Sequence, residues 1–441
     1  MSWEVFQKVD VFFIILAVVL LAVLTYKGMP VILASLLCAC GLCLCLGIDP
    51  YKALTETMMP GVGGFFTNYL LIFLLGALLS EIMKASSATE AIASMLFKIF
   101  GEKYVMIALC LLGTVICLSG ISMYVAFFAC TPIAISMLKK ANLPRRLWIG
   151  AWTAGTCTYA MTGPFAPTMQ NAVGVKFLGT TMSAGWEIGL IGWVPFAIVI
   201  FVYEYLSGVR AKKRGEIFVV RPDETFTEDT DIKRKPHWIL PLIPIAALFI
   251  MVNVFSLAIE TGMLAAMGIM IICLWKYLPR DGHTVSSMIS TAFQNAALAV
   301  VNPAMIVGFA AVMTSTPTFL SLTNKVVELG SDPLATAAAL AGLASCLSGS
   351  CVAGLSVAFP TCVQMFGNSG LNLETLHRVA TMGAGTIDSL PHSGALHGYT
   401  AITKENMKDV YGDIFVVSVL CPLGATILSI IAAYLLGLVY V

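Results

Sequence analysis

A polar segment that could bind protons interrupts an apolar run near the C-terminal end of the chain. Asp388 is the only formally charged residue between positions 379 and 403, and His392 and His397 follow it. An ionised carboxyl in apolar surroundings is costly unless it has a partner or takes up a proton. Asp388 and His392 are therefore predicted to carry protons. Structural roles stay open: Asp388 could cap a helix that begins after it, and either histidine could be a buried structural residue.

This segment belongs to a set of motifs that occurs twice. Residues 118–132 read LSGISMYVAFFACTP and residues 347–361 read LSGSCVAGLSVAFPT; residues 155–164 read GTCTYAMTGP and residues 385–394 read GTIDSLPHSG. The offsets are 229 and 230 residues, so the spacing is duplicated together with the motifs. Duplicated apolar units broken by Gly, Ser, Thr and Pro are typical of secondary transporters, whose substrate sites lie at the breaks.

The composition is that of a polytopic membrane protein. Hydrophobic residues make up 59% of the chain and charged residues 11%, with a mean hydropathy of +0.90. Soluble domains carry about 25% charged residues. The net charge of +1 gives no indication of a nucleic-acid partner. The 13 cysteines lie in apolar runs, where Cys packs as a small hydrophobe, and neither a metal site nor another cofactor is predicted.

Apolar runs of roughly 20 residues predict the membrane spans. The predicted spans are 11–26, 30–48, 65–83, 148–173, 186–206, 238–256, 261–278, 297–318, 378–402 and 413–438. The apolar segments 104–138 and 333–366 are each split by Gly and Ser, which predicts two re-entrant hairpins. The amphipathic stretches 85–100 and 318–330 are predicted to be interfacial. Several ionisable residues near span ends are predicted to reach the membrane interface: Glu81, Glu187, Glu204, Glu260, His377 and Arg378.

The predicted fold is an all-α polytopic membrane protein with two inverted-topology repeats. Each repeat has about five transmembrane helices plus a re-entrant hairpin, and an odd number of crossings inverts the second copy. The predicted domains are a first repeat at 1–206, a charged cytoplasmic linker at 207–237 and a second repeat at 238–441. With the linker in the cytoplasm, 20 of the 25 Lys and Arg residues fall inside, as the positive-inside rule requires, and both termini fall outside.

Helix breaks favour the binding of an anion, because half-helix N-termini present unpaired N–H groups. No Lys or Arg lies within 147–175 or 379–403, so backbone amides and hydroxyls are predicted to hold the anion. Alternatively, the small residues only allow close helix packing. The predicted substrate-binding residues are Ser119, Gly120, Ser122, Thr156, Thr158, Thr162, Asn171, Ser348, Gly349, Ser350, Thr386, Ser389, His392 and Ser393. Only the second break contains ionisable side chains. The first break is therefore predicted mainly to bind substrate, and the second is predicted to bind the coupling ion as well.

Four sequences resemble the gluconate permease family of proton symporters: GVGGFF at 61–66, FGEK at 100–103, DSLPHSGAL at 388–396 and KENMKDVYGDIF at 404–415. The resemblance implies proton-coupled import of a small hydroxy-carboxylate across the bacterial inner membrane. It also implies a homodimer in which hairpins and broken helices surround the substrate. Gluconate-type members have a Pro-Pro-His-Pro-Gly-like first break, whereas residues 160–164 read AMTGP. The chain is more similar to the 3-hydroxybutyrate permease-like branch, which favours a short, less polar hydroxy- or keto-acid.

Two other transport functions stay open: sodium-coupled carboxylate symport, and ion antiport by the same architecture. An intramembrane hydrolase using Ser119 or Ser350 with His392 is disfavoured, because the repeat accounts for the serines and no Gly-x-Ser-x-Gly or His-Glu-x-x-His motif is present. The sequence therefore predicts a transporter rather than an enzyme. Its partners would be a small organic anion, a proton or Na⁺, and the lipid bilayer.

Overall fold

The computed structural model of the protein consists of helices and the segments that connect them, in the residues that it describes. These are residues 3–118, 123–166, 168–221, 235–253, 255, 257, 259–319, 332–366 and 369–440. The β-structure in these ranges is one isolated antiparallel bridge between Leu371 and Tyr440. The expectation of an all-α protein is confirmed.

Ten helices of the first half are numbered here in chain order. They are α1 Trp3–Tyr26, α2 Val31–Cys45, α3 Pro50–Ala85, α4 Ala88–Phe100, α5 Val105–Leu118, α6 Met123–Lys140, α7 Leu147–Thr156, α8 Tyr159–Thr162, α9 Met169–Leu178 and α10 Trp186–Lys213. The described part of the second half adds α11 Ile239–Asn253, α12 Ile259–Leu274, α13 Gly282–Thr314, α14 Pro333–Ser348, α15 Cys351–Phe366, α16 Leu373–Ala384, α17 Gly394–Thr403 and α18 Met407–Leu435.

Four of these helices, α3, α10, α13 and α18, are long and apolar enough to cross a membrane. Two of them begin well before the apolar runs predicted at 65–83 and 297–318. The reason is a capped polar extension: the Asp49 carboxylate accepts from the Tyr51 amide at 2.9 Å, and the Asp281 carboxylate accepts from the Thr284 amide at 2.8 Å. Hydropathy detects the apolar part of a helix and misses a polar start that is stabilised by a cap.

The charged linker predicted at 207–237 starts inside a helix, because α10 continues to Lys213. Residues 222–234 of that linker lie outside the described ranges. So does most of the amphipathic stretch predicted at 318–330, whereas the corresponding stretch at 85–100 contains α4.

Helices α3 and α13 pack together closely through glycines. A Cβ atom built on Gly61 would lie 2.9 Å from the Ala311 Cβ, and one on Gly308 would lie 2.9 Å from the Met58 carbonyl oxygen. Neither position can take a larger residue without displacing a helix. The two long helices thus form a close-packed pair, and Pro303 of α13 lies beside the start of α17.

Helices α14 and α15 form a helical hairpin. Gly349 turns the chain with a φ of +61°, and the Ser350 amide donates to the Ser345 carbonyl at 3.1 Å. A Cβ on Gly354 would lie only 2.2 Å from Ser345 Oγ, so the arms are in direct contact. In the first half, α5 and α6 flank residues 119–122, which are outside the described ranges. Ser119, Gly120 and Ser122 therefore stay predictions, as does the depth of either hairpin in the membrane.

An aromatic core joins the two halves beside the interrupted helices. The rings of Phe127 and Trp148 stack with their centroids 5.5 Å apart, and the Tyr399 ring lies 4.5 Å from that of Phe127. These side chains belong to α6, α7 and α17, and all three are fully buried. The second-half helix α17 is therefore packed directly against first-half helices.

Candidate functional site

The two predicted helix breaks contact each other. Helix α7 ends at Thr156 and α9 begins at Met169; α16 ends at Ala384 and α17 begins at Gly394. A Cβ built on Gly385 would lie 3.0 Å from Thr162 Cγ2, so the breaks touch at a position that favours glycine. The duplicated motifs thus mark two adjoining segments of irregular backbone inside the protein.

The first break is lined by three buried threonines whose hydroxyls bond to their own chain. Thr156 donates to the Trp152 carbonyl at 2.8 Å, Thr158 to the Ala154 carbonyl at 2.6 Å and Thr162 to the Thr158 carbonyl at 3.2 Å. Each hydroxyl therefore uses its hydrogen locally and keeps lone pairs as acceptors. This arrangement suits a substrate hydroxyl or a cation better than a carboxylate.

Asn171 holds the backbone that follows the first break. Its Nδ2 donates to the carbonyls of Gly163 and Ala166 at 3.0 and 2.9 Å, and its Oδ1 accepts from Arg378 at 2.9 Å. The amide is thus occupied in shaping the loop between α8 and α9. In this conformation its role is to position the break.

Arg378 is fully buried, so its predicted interfacial position is wrong, and the neighbouring His377 is fully buried as well. The Arg378 guanidinium donates to the carbonyls of Thr162, Ala184 and Met182 at 2.7, 2.9 and 3.2 Å, in addition to Asn171. No ion pair to Arg378 is found among the described residues. The absence of basic residues from the break sequences therefore does not mean that the site lacks a buried cation.

Glycines on a distant helix create the space for Arg378. A Cβ on Gly185 would lie 2.7 Å from Arg378 Cβ, and one on Gly189 would lie 3.0 Å from its Cδ. Gly185 is the N-cap residue of α10 and Gly189 lies in its first turn, far from Arg378 in sequence. The signal available in the sequence was helical spacing, since Arg378 and Thr381 fall on one face of α16 and lead to Gly385 at the break.

Asp388 ends a short chain of hydroxyls at the second break. Ser389 Oγ donates to Asp388 Oδ1 at 3.0 Å, and Ser418 Oγ donates to Ser389 Oγ at 2.8 Å. Ser418 lies in a single π-helical turn, Val416–Leu420, within α18; such turns are frequent at functional sites. The interpretation of Asp388 as a helix cap is wrong, because Ser393 occupies the N-cap position of α17.

His392 connects the second break to the helical hairpin. Its Nε2 lies 2.6 Å from the Cys346 carbonyl oxygen of α14, while its buried Nδ1 has no hydrogen-bond partner among the described residues. Asp388 lies within electrostatic range of Cys346 and Cys351 of the hairpin and of Cys157 of the first break. The carboxyl thus lies at the junction of three elements that the duplicated motifs predicted.

The N-terminus of α17 is open beside His392. The helix has ten residues, and the side chain of its N-cap, Ser393, makes no capping hydrogen bond. A Cβ on Gly349, at the hairpin tip, would lie 3.9 Å from the Gly394 amide nitrogen and 3.7 Å from the His392 carbonyl oxygen. The uncapped helix N-terminus and the hairpin tip therefore lie close together, where an anion could be bound.

The other predicted site residues bond to nearby backbone. Ser348 Oγ donates to the Ala344 carbonyl at 2.7 Å, Thr386 Oγ1 donates to the Gly383 carbonyl at 2.6 Å, and Ser350 Oγ accepts weakly from the Ala353 amide at 3.4 Å. These hydroxyls stabilise the hairpin tip and the end of α16. In the described ranges no group of three or more His, Cys, Asp or Glu side chains is placed to hold a metal.

One buried carboxyl lies where the sequence did not predict it. Glu204 of α10 was predicted to reach the membrane interface, but it is 1% exposed. Its neighbour Tyr203 and the following Ser207 both donate to Asp413 of α18, so this part of α10 faces another helix rather than lipid. Glu204 could not be placed because hydropathy gives the end of a span, not the direction in which a side chain points.

The profile of the GntP family permeases matches residues 9–389. The chain belongs to this permease family. The match covers most of the chain, including the first break, the hairpin and Asp388, and it confirms the resemblance drawn from the sequence. The protein is accordingly a multi-pass membrane transporter.

Curated relatives of the permease are transporters as well. It is 27% identical to the uncharacterized transporter YxjC of Bacillus subtilis, over 98% of this chain and 100% of the relative. It is 25% identical to the high-affinity gluconate transporter of Escherichia coli over 43% of this chain and 42% of the relative, and 28% identical to the Gnt-II system L-idonate transporter of the same organism over 32% of each. The solved YdaH transporter of Alcanivorax borkumensis aligns with a TM-score of 0.42 at 15% identity, covering 98% of this chain and 99% of that structure.

Proposed function

We propose that this permease imports a small hydroxy- or keto-carboxylate together with a proton by alternating access. The observation that carries the proposal is the second break, which holds both the buried Asp388 carboxyl and the uncapped N-terminus of α17. A protonatable group beside an anion site is the minimum that proton-coupled anion uptake needs. The names of the two Escherichia coli relatives, which specify gluconate and L-idonate, support an acid as the substrate.

The carboxylate of the substrate would bind at the start of α17. Helix N–H groups supply donors there, whereas the donors of the Arg378 guanidinium are engaged at the first break. A hydroxyl or keto oxygen of the substrate would extend toward the first break. A hydroxyl there would donate to the free lone pairs of Thr158 or Thr162. The first break would thus bind the hydroxyl or keto oxygen of the substrate, and the second break would bind its carboxylate.

The proton couples to the substrate through charge. An ionised Asp388 and a bound carboxylate repel each other in a site of low dielectric, whereas a protonated Asp388 does not. The transporter with both substrate and proton bound would therefore have the same charge at the site as the empty transporter. Binding of only one of the two would be disfavoured. Ser389 and Ser418 would stabilise the ionised form of Asp388 after the proton leaves.

Further parts of the proposal extend the predicted architecture. The halves 1–206 and 238–441 would be inverted repeats joined by a cytoplasmic linker at 207–237, in a homodimer in the bacterial inner membrane. The AMTGP sequence at 160–164 gives a first break without an imidazole, which favours a short acid of the 3-hydroxybutyrate kind over a sugar acid. Sodium-coupled symport and ion antiport by the same fold are the alternatives that the test distinguishes.

The test is uptake into proteoliposomes of a panel of labelled acids, comprising 3-hydroxybutyrate, a short keto-acid, gluconate and an unsubstituted acid. We expect uptake of the short acids above their equilibrium level under an inward proton gradient and no accumulation under a sodium gradient alone. Asp388→Asn is expected to abolish driven uptake while preserving substrate exchange at equal pH. Asp281→Asn, which changes an exposed helix cap, is the control and should transport normally. Accumulation driven only by sodium, or ion movement without acid transport, would refute the proposal.

A further inference from the structure

A second buried carboxyl lies away from both helix breaks. Glu204 of α10 is 1% exposed, and neither of its carboxyl oxygens has a hydrogen-bond partner among the described residues. A carboxylate buried without a donor or a cation is strongly destabilising. In this conformation Glu204 must therefore carry its proton.

The groups around Glu204 come from several helices. Asp413 of α18 and Cys110 of α5 lie within electrostatic range, and Tyr203 is adjacent on α10. Arg146, at the start of α7, reaches this region only through Asp413, and Arg378 of α16 packs at the other end of α10. The Arg210 guanidinium lies 5.0 Å from the Tyr203 ring. The nearby described cations thus contact the neighbours of Glu204, and none of them bonds to its carboxyl.

Asp413 differs from Glu204 because its charge is compensated. Its Oδ1 accepts from Tyr203 at 2.9 Å and from Ser207 at 3.3 Å, and its Oδ2 accepts from Arg146 at 3.1 Å. Arg146 also pairs with Glu216 at 2.7 Å, and both of these side chains are partly exposed. Asp413 therefore belongs to an ion cluster that reaches solvent, while Glu204 lies behind it.

The other end of this region leads toward Asp388. Ser418, which bonds to Ser389, follows Asp413 on the same helix, and five residues of helix span about 7.5 Å along the axis. Glu204 thus lies beside the part of α18 where the exposed ion cluster at Asp413 comes closest to the hydroxyl chain that leads from Ser418 to Asp388. On its α5 side, Cys110 Sγ lies 3.9 Å from the Tyr159 hydroxyl of the first break.

We propose that Glu204 carries the coupling proton between Asp388 and the solvent beside the Arg146–Asp413–Glu216 cluster. This inference rests on the proposed proton-coupled function. When the transporter opens and admits water, Glu204 releases its proton to the solvent at the cluster. The Glu204 carboxylate then takes up the proton that leaves the Asp388 carboxyl, through serine hydroxyls and water. Glu204 thus returns to its protonated form, and the two buried carboxyls are never ionised together.

The test compares Glu204→Gln with wild type in two assays in proteoliposomes. Gln keeps the size of the side chain and cannot release a proton. We expect uptake driven by a proton gradient to fall several-fold, whereas substrate exchange at equal pH on both sides keeps its wild-type rate. Glu187→Gln, on the first turn of the same helix, is the matched control and should leave both rates unchanged.

Two results would overturn the role of Glu204. Driven uptake at the wild-type rate in Glu204→Gln would show that the carboxyl is not needed, and loss of exchange as well would assign it to substrate binding or folding. If Glu204→Gln does not purify as a folded protein, Glu204→Asp replaces it, with slower driven uptake and a displaced pH profile expected; an unchanged profile would refute the relay. Failure of wild type to respond to a proton gradient would instead refute the proposed function itself.

Discussion

The Arg378 guanidinium donates a hydrogen bond of 2.7 Å to the backbone carbonyl of Thr162. The bond fastens the helix that precedes the second break to the first break. Gly385, one residue after that helix ends, touches the Thr162 side chain, so the two breaks are joined by a polar and an apolar contact. Motion of one break relative to the other would break a buried charge-assisted bond. We therefore expect the breaks to move together as one body.

Replacing Arg378 should destabilise the protein strongly. Arg378→Met would leave the carbonyls of Thr162, Ala184 and Met182 without donors, and each buried unpaired acceptor costs about 1–3 kcal/mol. We expect a lower unfolding temperature in detergent and loss of substrate binding. Arg280→Met, at an exposed position after α12, is the control and should unfold like wild type. Equal unfolding temperatures for both variants would contradict the structural role of the buried guanidinium.

The contrast between the breaks and Arg378 shows what the sequence can predict. The breaks were located correctly because Gly, Ser, Thr and Pro interrupt apolar helices in both copies of the motif. Arg378 was misplaced because a charged residue beside an apolar run is equally compatible with an interface and with a buried position. The difference depends on Gly185 and Gly189, which come into contact with Arg378 only after the chain has folded.

The turn at Gly349 should tolerate no side chain. Its φ of +61° would cost an alanine about 1–2 kcal/mol, and an added Cβ would also lie 3.3 Å from Ile306 Cγ2. Gly370→Ala is a matched control, because Gly370 has a φ of +73° but open space around it. Both variants should lose thermal stability, and only Gly349→Ala should also lose transport. Transport equal in the two variants would mean that crowding at the hairpin tip has no functional effect.

Loss of the His392 side chain should impair substrate binding more than folding. His392→Ala removes the contact with the Cys346 carbonyl, which joins the second break to the hairpin, and the unpartnered Nδ1. A ligand at 100 times its dissociation constant stabilises a protein by about 2.7 kcal/mol, so wild type should show a clear rise in unfolding temperature with substrate. We expect the rise to be lost in His392→Ala and kept in His283→Ala, which alters an exposed residue of α13. An undiminished rise in His392→Ala would exclude this imidazole from the site.

Ser418 shows a second limit of sequence analysis. It lies in the apolar segment VVSVL, which has no feature of a site, and it reaches Ser389 because α18 makes one π-helical turn there. Glu204 is similar, since its burial depends on how α10 faces α5 and α18. Positions of this kind depend on helix rotation and local distortion, which a hydrophobic run does not determine.

Removing the Ser418 hydroxyl should slow proton coupling with little loss of stability. Ser418→Ala deletes the donor to Ser389 Oγ but leaves the Ser389 bond to Asp388, so the cost in folding should be about 1 kcal/mol. Ser429→Ala is matched to it, because Ser429 is equally buried on the same helix and donates to the Ile188 carbonyl at 2.9 Å. Both variants should unfold at similar temperatures, and only Ser418→Ala should reduce uptake driven by a proton gradient relative to exchange at equal pH. If the two variants keep the same ratio of driven uptake to exchange, the hydroxyl chain at Asp388 supports the fold and takes no part in coupling.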